Sequence, residues 1–542
     1  MQRITREVAL WCLLAVLAGA LRLVRLDLPL TNAEAASALL ALAVLRGESV
    51  VLPNPLLGNL QIALFAVFGA DDFWARLPSA LGGVAICLLP AALRPSLGRL
   101  PALVMAALLT LSPTAWFVAR EQGASALAWA LALAAHLAWC SDRPRLAAIA
   151  FGLLLAMGED ALAPALVSLL SALVAGASPA AMVRAWPVAL LSFFLAATGL
   201  LLRPSGLGDA LYGFAQWFSP APDALSLNRL AIGLLISEPL IWVGAPLAFV
   251  RRPTRSTLAW LVWIVVGAAF ALIGTDRNAS ALLPLVVGGA GLAAGVYDGL
   301  VRAAIARPSW IWLVAVVLFS YAGLGVIQYA GQGRSEWLLV PVVAAAVAFT
   351  LVGWLGWATG DYRRSLADVA SASSALLAVY TLSVGWQMNL ARPDHPGEAY
   401  RRDAAGPGLL TLRRDLRQIS VRATGEPDAL AVQVLGSPPP ALRWALRNQR
   451  AVTYSDQPTT AGLVVAPPAT QPPATGAFVG SSREIIVRAS LNVVGCASLP
   501  QGGFDCSSLA RWLAFREVRG LQTERWVIWL RDDIARRGSG LR

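Results

Sequence analysis

The chain has 542 residues, of which 57% are hydrophobic and only 14% are charged, and its mean hydropathy is +0.64. A soluble protein of this length cannot bury so much apolar surface, so the composition predicts a polytopic α-helical membrane protein. The net charge of +12 comes from arginine alone, since the sequence contains no lysine. We attribute the excess to a compositional bias toward arginine and to positively charged cytoplasmic loops, and we predict no nucleic-acid partner.

The amino-terminal stretch predicts one membrane span followed by a long outer loop. Arg3 and Arg6 precede an apolar run over residues 8–26, which is long enough for a bilayer core of ~30 Å. No small-residue cleavage site follows, so we expect a retained first helix rather than a signal peptide. The first outer loop then covers about residues 27–77. It contains a short apolar segment, residues 54–70, which suits a helix lying along the membrane interface.

Twelve further apolar segments bring the predicted number of transmembrane helices to about thirteen. They cover approximately residues 78–93, 101–119, 124–140, 145–157, 161–176, 187–203, 228–250, 257–274, 281–299, 309–327, 337–357 and 366–386. Under this alternation the arginine clusters fall on one side, which the positive-inside tendency makes cytoplasmic. We therefore expect a multi-pass protein of the plasma membrane with a cytoplasmic amino terminus.

The composition changes near residue 387, where charged residues and prolines become frequent. The membrane domain then covers residues 1–386, followed by a linker over 387–408 and a small domain over 409–542. In that last part we predict helices at 409–420, 441–449 and 508–518 and strands at 429–436, 462–467, 483–490 and 526–531. The alternation predicts an α/β domain with a mostly parallel sheet, and the odd number of spans places it on the extracytoplasmic side.

Several motifs occur in an order that resembles a known family. An LRLVRL helix end precedes an acidic segment, an Asn-Pro-Leu turn, GADDFWARLPSALGG at 69–83 and LSPTAWFVAREQGAS at 111–125. This order resembles the amino-terminal half of the GT-C superfamily of membrane glycosyltransferases, which includes protein O-mannosyltransferases and aminoarabinose transferases. The similarity covers about residues 15–140 and continues weakly through 277–295. The tail is similar to bacterial relatives of the archaeal flippase-activity-associated glycosylation family.

The resemblance implies a reaction at the outer face of the lipid bilayer. Its donor would be a polyprenyl-phosphate-linked sugar, and its acceptor would be an extracytoplasmic protein, lipid or glycan. The leading hypothesis is therefore a membrane glycosyltransferase. The main alternative is a catalytically degenerate protein of the same fold that assists the flipping or assembly of lipid-linked sugars. A secondary transporter is less well supported, because no inverted repeat and no matching pair of interrupted helices is visible.

The resemblance also implies a catalytic carboxylate in the first outer loop, where the family carries an Asp-Glu pair. Ala33 and Glu34 occupy these positions here, so the aspartate is missing and only Glu34 remains. Transfer of a sugar with inversion needs a carboxylate that deprotonates the acceptor hydroxyl, and we predict Glu34 in that role. A structural alternative is equally well supported, because Thr31 and Glu34 have the spacing of a helix capping box.

Two more acidic residues face the same side in this topology. The family position of Glu121 implies metal binding or the placing of the carrier phosphate, and the alternative is a local ion pair at a helix start. Asp160 is a candidate metal ligand or a plain loop residue. A divalent cation prefers several oxygen ligands, so a metal would need Glu34, Glu121 and Asp160 to be brought together by the fold.

Four arginines are candidates for binding the phosphate of the carrier. Arg22, Arg76, Arg120 and Arg277 lie near the outer side, and guanidinium groups suit phosphate oxygens. For Arg22 the alternative is a side chain that extends along the helix toward the membrane surface. In the tail, Cys496 and Cys506 would be able to form a disulfide if that domain is extracytoplasmic.

Overall fold

The computed structural model describes most of the chain. The described residues are 6–219, 224–250, 254–274, 277–306, 310–332, 337, 339–359, 362–457, 461–468, 470, 477–489, 497–498, 504–505, 507–518 and 520–539. Cys496 and Cys506 lie outside these residues, so the predicted disulfide stays a prediction.

Helices make up most of the chain before residue 392. They are α1 (Arg6–Leu23), α2 (Asn32–Leu45), α3 (Pro55–Phe68), α4 (Asp72–Leu88), α5 (Arg94–Leu97), α6 (Arg99–Leu111), α7 (Pro113–Arg120), α8 (Ser125–Cys140), α9 (Pro144–Leu155), α10 (Leu162–Ala175), α11 (Pro179–Ala197), α12 (Gly206–Gln216), α13 (Leu227–Ser237), α14 (Pro239–Leu247), α15 (Arg255–Ile273), α16 (Leu283–Ala306), α17 (Trp310–Gln332), α18 (Leu339–Thr359) and α19 (Tyr362–Trp386). The largest apolar core lies among α4, α6 to α10 and α13 to α16.

Six segments in the described part of the chain are long and apolar enough to cross a bilayer. Two further helix pairs pass the same test but are bent at a break, α6 and α7 by 59° and α13 and α14 by 82°. Pro113 and Pro239 follow the two breaks, and proline lacks the N–H donor that would continue the helix. Counting each bent pair once gives up to eight spans among the described residues, so the total of thirteen stays a prediction.

Two short helices occupy the segment predicted as the first outer loop. Both α2 and α3 have 14 residues, which is about 21 Å at the rise of an α-helix and too short for a bilayer core of ~30 Å. The start of α3 at Pro55 suits proline, because the first N–H of a helix has no partner within the helix. The segment predicted at residues 54–70 is thus a short apolar helix, as expected.

The carboxyl-terminal part combines helices with a sheet. Its elements are β1 (Ala404–Ala405), α20 (Pro407–Thr424), β2 (Val432–Leu435), α21 (Pro440–Ala445), β3 (Val452–Ser455), β4 (Leu463–Ala466), β5 (Phe478–Ala489), β6 (Ala497–Ser498), β7 (Phe504–Asp505), α22 (Ser507–Phe515), β8 (Leu521–Arg531) and α23 (Asp532–Ser539). The strands β6 and β7 form a small ribbon, and the other six strands form one sheet.

The six-stranded sheet is mixed, which corrects the prediction of a mostly parallel one. Its order is β1-β5-β8-β4-β2-β3. The short buried strand β2 pairs in parallel with β3 and β4, whereas β8 is antiparallel to β4 and β5, and β5 is antiparallel to β1. Much of β5 and β8 is exposed, and antiparallel strands tolerate one face in water better than parallel strands do.

An apolar cluster and two polar side chains join the sheet and its helices to residues 27–77, the segment predicted as the first outer loop. Leu30, Ala38 and other residues of this loop pack in one cluster with α20, α21 and the sheet. Trp444 donates a hydrogen bond from Nε1 to Oδ1 of Asp72 at 2.7 Å, and the buried Arg447 donates from Nε to the carbonyl of Ala70 at 2.9 Å. The carboxyl-terminal part therefore contacts the start of α4.

Residues 392–405 lie in the segment predicted as a linker, and we call them the strap. Arg229 of α13 donates from Nε to the carbonyl of Ala399 at 2.7 Å and from Nη2 to that of Glu398 at 3.0 Å. Trp512 of α22 donates from Nε1 to the carbonyl of Gly397 at 2.7 Å. These bonds hold the strap between the membrane helices and the sheet domain.

Candidate active site

Arg76 organises the loop that carries Glu34. Its Nε donates to Oε1 of Glu34 at 2.8 Å, and its Nη2 donates to Oε2 at 2.7 Å. The same guanidinium donates to the carbonyls of Leu26 and Pro29, each at 3.1 Å, and to that of Leu28. Arginine suits this place because its five N–H donors form a rigid fork. The arginine of the RLPSALGG motif thus fixes the turn between α1 and α2.

Glu34 is buried and fully engaged. Its Oε2 accepts from the backbone N–H of Thr31 at 2.8 Å, which completes the predicted capping box, and its Oε1 accepts from the backbone N–H of Gln122 at 2.7 Å. Burial alone would raise the pKa of Glu34, but the charge and hydrogen bonds of Arg76 outweigh it and lower the pKa to about 2. In this arrangement the carboxylate is a stable anion with little tendency to accept a proton.

Two adjoining cavities open beside this ion pair. The polar cavity has a volume of about 140 Å³, and the lateral cavity has a volume of about 260 Å³. The polar cavity is lined in part by Glu34, Glu121, Gln122, Tyr400, Arg401 and Asp403. The lateral cavity is lined in part by Ser37, Trp129, Asp160, Trp217, Phe270 and Asn278. Ala33 lines both cavities, so an aspartate at this position would face them.

Arg120 and Arg22 serve the ends of helices. Arg120 donates to the carbonyls of Val24 at 2.5 Å and Arg25 at 3.0 Å, just after the end of α1. Arg22 is completely enclosed by protein and donates from Nη2 to the carbonyl of Leu109 at 3.1 Å, near the end of α6. Carbonyls at a helix end have no partner within the helix, so both arginines satisfy groups that would otherwise be buried without a bond.

Arg277 also binds backbone. It donates from Nε to the carbonyl of Leu225 at 3.3 Å and accepts at its own carbonyl from the N–H of Leu225 at 2.8 Å. None of the four arginines predicted to bind phosphate lines either cavity. A phosphate role for Arg22, Arg76, Arg120 and Arg277 stays a prediction, and the structure gives each of them another task.

Glu121 lines the polar cavity and differs from Glu34 in its bonding partners and in its pKa. No described residue donates a hydrogen bond to its carboxylate, and no ion pair joins it to a described cation. Burial raises the pKa of Glu121 to about 7, and the opposing charges of Arg401 and Arg402 reduce the shift only partly. A carboxylate with a pKa near the working pH can both accept and release a proton, which is what a general base needs.

The strap supplies polar groups that motif analysis missed. Arg401, Arg402 and Asp403 line the polar cavity, together with Tyr400. The Tyr400 hydroxyl lies 3.0 Å from Oγ1 of Thr114, which is at the start of α7. The only signal in the sequence was the charged run EAYRRD within a segment interpreted as a linker.

The acidic residues do not fit a divalent metal. No group of three or more His, Cys, Asp or Glu side chains suited to a metal occurs in the part of the chain that the structure describes. Glu121 and Asp160 line different cavities, and Oδ1 of Asp160 accepts from the hydroxyl of Ser125 at 2.6 Å. The charges acting on Glu121 are those of three guanidinium groups, Arg401, Arg402 and Arg76, against the single carboxylate of Glu34, and this excess of positive charge disfavours a cation. We therefore derive no step through a metal.

Comparison with solved structures identifies the fold. The chain is similar to ArnT from Cupriavidus metallidurans, solved bound to undecaprenyl phosphate and in the apo state, with a TM-score of 0.50 and 16% identity in both cases. Each match covers 85% of this chain and 93% of that chain. The oligosaccharyltransferase of Archaeoglobus fulgidus matches with a TM-score of 0.39 and 12% identity, over 85% of this chain and 65% of that chain. No family model and no curated protein matches the sequence.

The chain is therefore a multi-pass membrane protein with the fold of the GT-C superfamily of membrane glycosyltransferases. Its structure is similar to that of ArnT. The resemblance inferred from the motifs is confirmed as a likeness of fold.

Proposed function

We propose that the chain is a membrane glycosyltransferase that moves a sugar from a polyprenyl-phosphate carrier to a protein, lipid or glycan acceptor. In this proposal the protein lies in the plasma membrane with its amino terminus in the cytoplasm. The two cavities and the carboxyl-terminal α/β domain then face the extracytoplasmic side. Support comes from the shared fold with ArnT, which has been solved with undecaprenyl phosphate bound.

The state of Glu121 is the observation that carries the proposal. Its carboxylate lies in the polar cavity, has no hydrogen-bond donor among the described residues, and has a pKa of about 7. These are the properties of a group that removes a proton from a sugar or protein hydroxyl at neutral pH. Glu121 is therefore our preferred base, and Glu34 becomes a structural anion that holds Arg76 and the backbone of Gln122 in place.

The proposed step balances as a simple displacement. The acceptor O–H gives its proton to the Glu121 carboxylate while the acceptor oxygen forms a bond to the anomeric carbon of the donor sugar. The bond between that carbon and the phosphate oxygen breaks, and the polyprenyl phosphate leaves with the bonding electron pair. The chemistry needs a base on one side of the sugar and cationic groups near the leaving phosphate.

The original prediction that Glu34 is the base can be tested against this assignment in one experiment. The wild-type chain and variants E121Q, E34Q and E426Q are reconstituted in lipid vesicles with a radiolabelled polyprenyl-phosphate sugar. The measured quantity is the loss of label from the lipid per folded molecule. Glu426 is exposed and lines neither cavity, so E426Q is the matched control.

We expect E121Q to lower turnover by about 100-fold or more, in the range found for general bases. E34Q should reduce the amount of folded protein more strongly than the turnover of each folded molecule. If E121Q turned over at the wild-type rate while E34Q was inactive although folded, Glu34 would be the base and our assignment would be wrong.

A second candidate function follows from Ala33. The family carries an aspartate at this position, and here the exposed alanine faces both cavities. The candidate is a catalytically degenerate protein that binds lipid-linked sugars and assists their flipping or assembly. In that case the wild-type chain would bind the donor without turnover. An A33D variant that gained turnover would support this candidate, whereas a turnover already present in wild type would exclude it.

A further inference from the structure

We propose that Arg401 of the strap binds the phosphate group of the polyprenyl carrier in the polar cavity. This inference rests on the proposed function and assigns its phosphate site to a residue outside the family motifs. It also makes the segment after the membrane helices a part of the donor site.

Arg401 has unused donors in a buried position. Its Nε and Nη1 are buried and have no hydrogen-bond partner, and no ion pair joins its guanidinium to a carboxylate among the described residues. A buried N–H without an acceptor is costly, and for a charged group the cost is larger. An anion in the adjoining cavity would satisfy these donors with short, charge-assisted hydrogen bonds.

The guanidinium of Arg401 packs against an aromatic side chain. Its central carbon lies 5.0 Å from the centre of the Phe117 ring, within the range of a cation–π contact. The Phe117 ring in turn lies 5.6 Å from the ring of Tyr400. This packing restricts the side chain, so little conformational entropy remains to be lost when a phosphate binds.

Arg229 holds the strap from the other side. It donates to the carbonyls of Glu398, Ala399 and Arg401. Glu398 also pairs with Arg516 of the sheet domain at 3.3 Å. Arg229 donates these hydrogen bonds to backbone carbonyls of the strap and does not line the polar cavity, so it is a positioning residue for Arg401.

The other arginines near the cavities are already engaged. Arg76 is bonded to Glu34 and to three carbonyls, and Arg120 is bonded to carbonyls after α1. Arg402 lines the cavity but donates from Nη2 to the carbonyl of Arg277 at 3.0 Å. Arg401 is therefore the guanidinium in the polar cavity with buried donors left for a ligand.

Binding of lipids to the purified full-length chain tests the inference. The probes are undecaprenyl phosphate, undecaprenol and inorganic phosphate, and dissociation constants are measured for wild type, R401Q, R401K, R229Q and the surface control R417Q. Undecaprenol reports the prenyl chain alone, and inorganic phosphate reports whether a free anion is the ligand instead of a lipid headgroup. Arg417 is exposed on α20 and lines neither cavity.

We expect R401Q to bind undecaprenyl phosphate about 10- to 100-fold more weakly than wild type, as for the loss of charge-assisted hydrogen bonds. The affinity of R401K for undecaprenyl phosphate should lie between those of wild type and R401Q. Undecaprenol should bind all variants equally. R229Q should weaken the binding of undecaprenyl phosphate but not that of undecaprenol. A general loss of structure would instead weaken the binding of both lipids.

The possible failures are distinct. If R401Q bound undecaprenyl phosphate as tightly as wild type, the inference would be overturned while the proposed function stood. If wild type preferred undecaprenyl phosphate no more than undecaprenol, the proposed function itself would fail. If inorganic phosphate competed fully at low concentration, the site would be one for a free anion and the assignment to the carrier would be wrong.

Discussion

Arg76 and Glu34 form a buried ion pair with two hydrogen bonds, Nε to Oε1 at 2.8 Å and Nη2 to Oε2 at 2.7 Å, and so join α4 to the start of α2. Glu34 also accepts from two backbone N–H groups, so both charges are compensated. The pair belongs to the framework of the site. In our proposal the base is instead the less engaged carboxylate of Glu121, which directly precedes Gln122 in the chain.

Removing one partner of this pair should destabilise the protein strongly. R76Q or E34Q leaves a buried charge without its counter-ion, and such changes cost about 3–5 kcal/mol. The exposed pair of Arg450 and Glu426 is the control, since breaking a surface pair costs about 0–1 kcal/mol. Thermal unfolding of the variants in detergent measures the difference. Equal losses for the buried and the exposed pair would contradict this account.

Acid should weaken the protein through Glu34. Its pKa is lowered from 4.5 to about 2 in the folded state, so the unfolded state binds the proton first as the pH falls. The stability contributed by Glu34 is therefore complete above pH 4.5 and is lost as the pH falls toward about 2. Unfolding measured against pH should show a shallower acid slope for E34Q than for wild type. Identical slopes would show that Glu34 has an ordinary pKa.

Asp72 should attach the sheet domain to the membrane domain. It accepts from Trp444, and Arg447 lies within 3.5 Å of its carboxylate. D72N should raise hydrogen exchange in α21, because an amide replaces a charge that faces a buried arginine. The half-exposed Asp71 offers the matched control D71N, which should change exchange little. An equal effect of D71N and D72N would mean that the attachment does not depend on Asp72.

Short-range features of the site were readable from the sequence. The capping box of Thr31 and Glu34 is present as one of the two interpretations expected, because a helix start is set by residues three positions apart. The likeness to the GT-C fold was visible in the order of short motifs along the sequence. The short helix after Asn54 was predicted from its length and from the proline that starts it.

Long-range features were not readable. Arg76 lies 42 positions after Glu34, and only the packed fold brings them together. Arg401 lines the polar cavity although it follows α19 in the chain, far from Glu34 and Glu121 in sequence. The charged run that contains Arg401 does not indicate that the chain returns to this cavity. The antiparallel half of the sheet likewise depends on how the chain returns through β5 and β8, which local residue patterns do not encode.

The pH dependence of donor turnover tests the central claim most directly. With Glu121 as the base and its pKa at about 7, turnover of a polyprenyl-phosphate sugar by the wild-type chain should rise with pH through neutrality and then level off. The folded fraction of E34Q should show the same rise of turnover with pH. The residual turnover of E121Q should not depend on pH in this range. A wild-type profile that is flat across neutral pH, or one that E121Q retains, would contradict the assignment of Glu121 as the catalytic base.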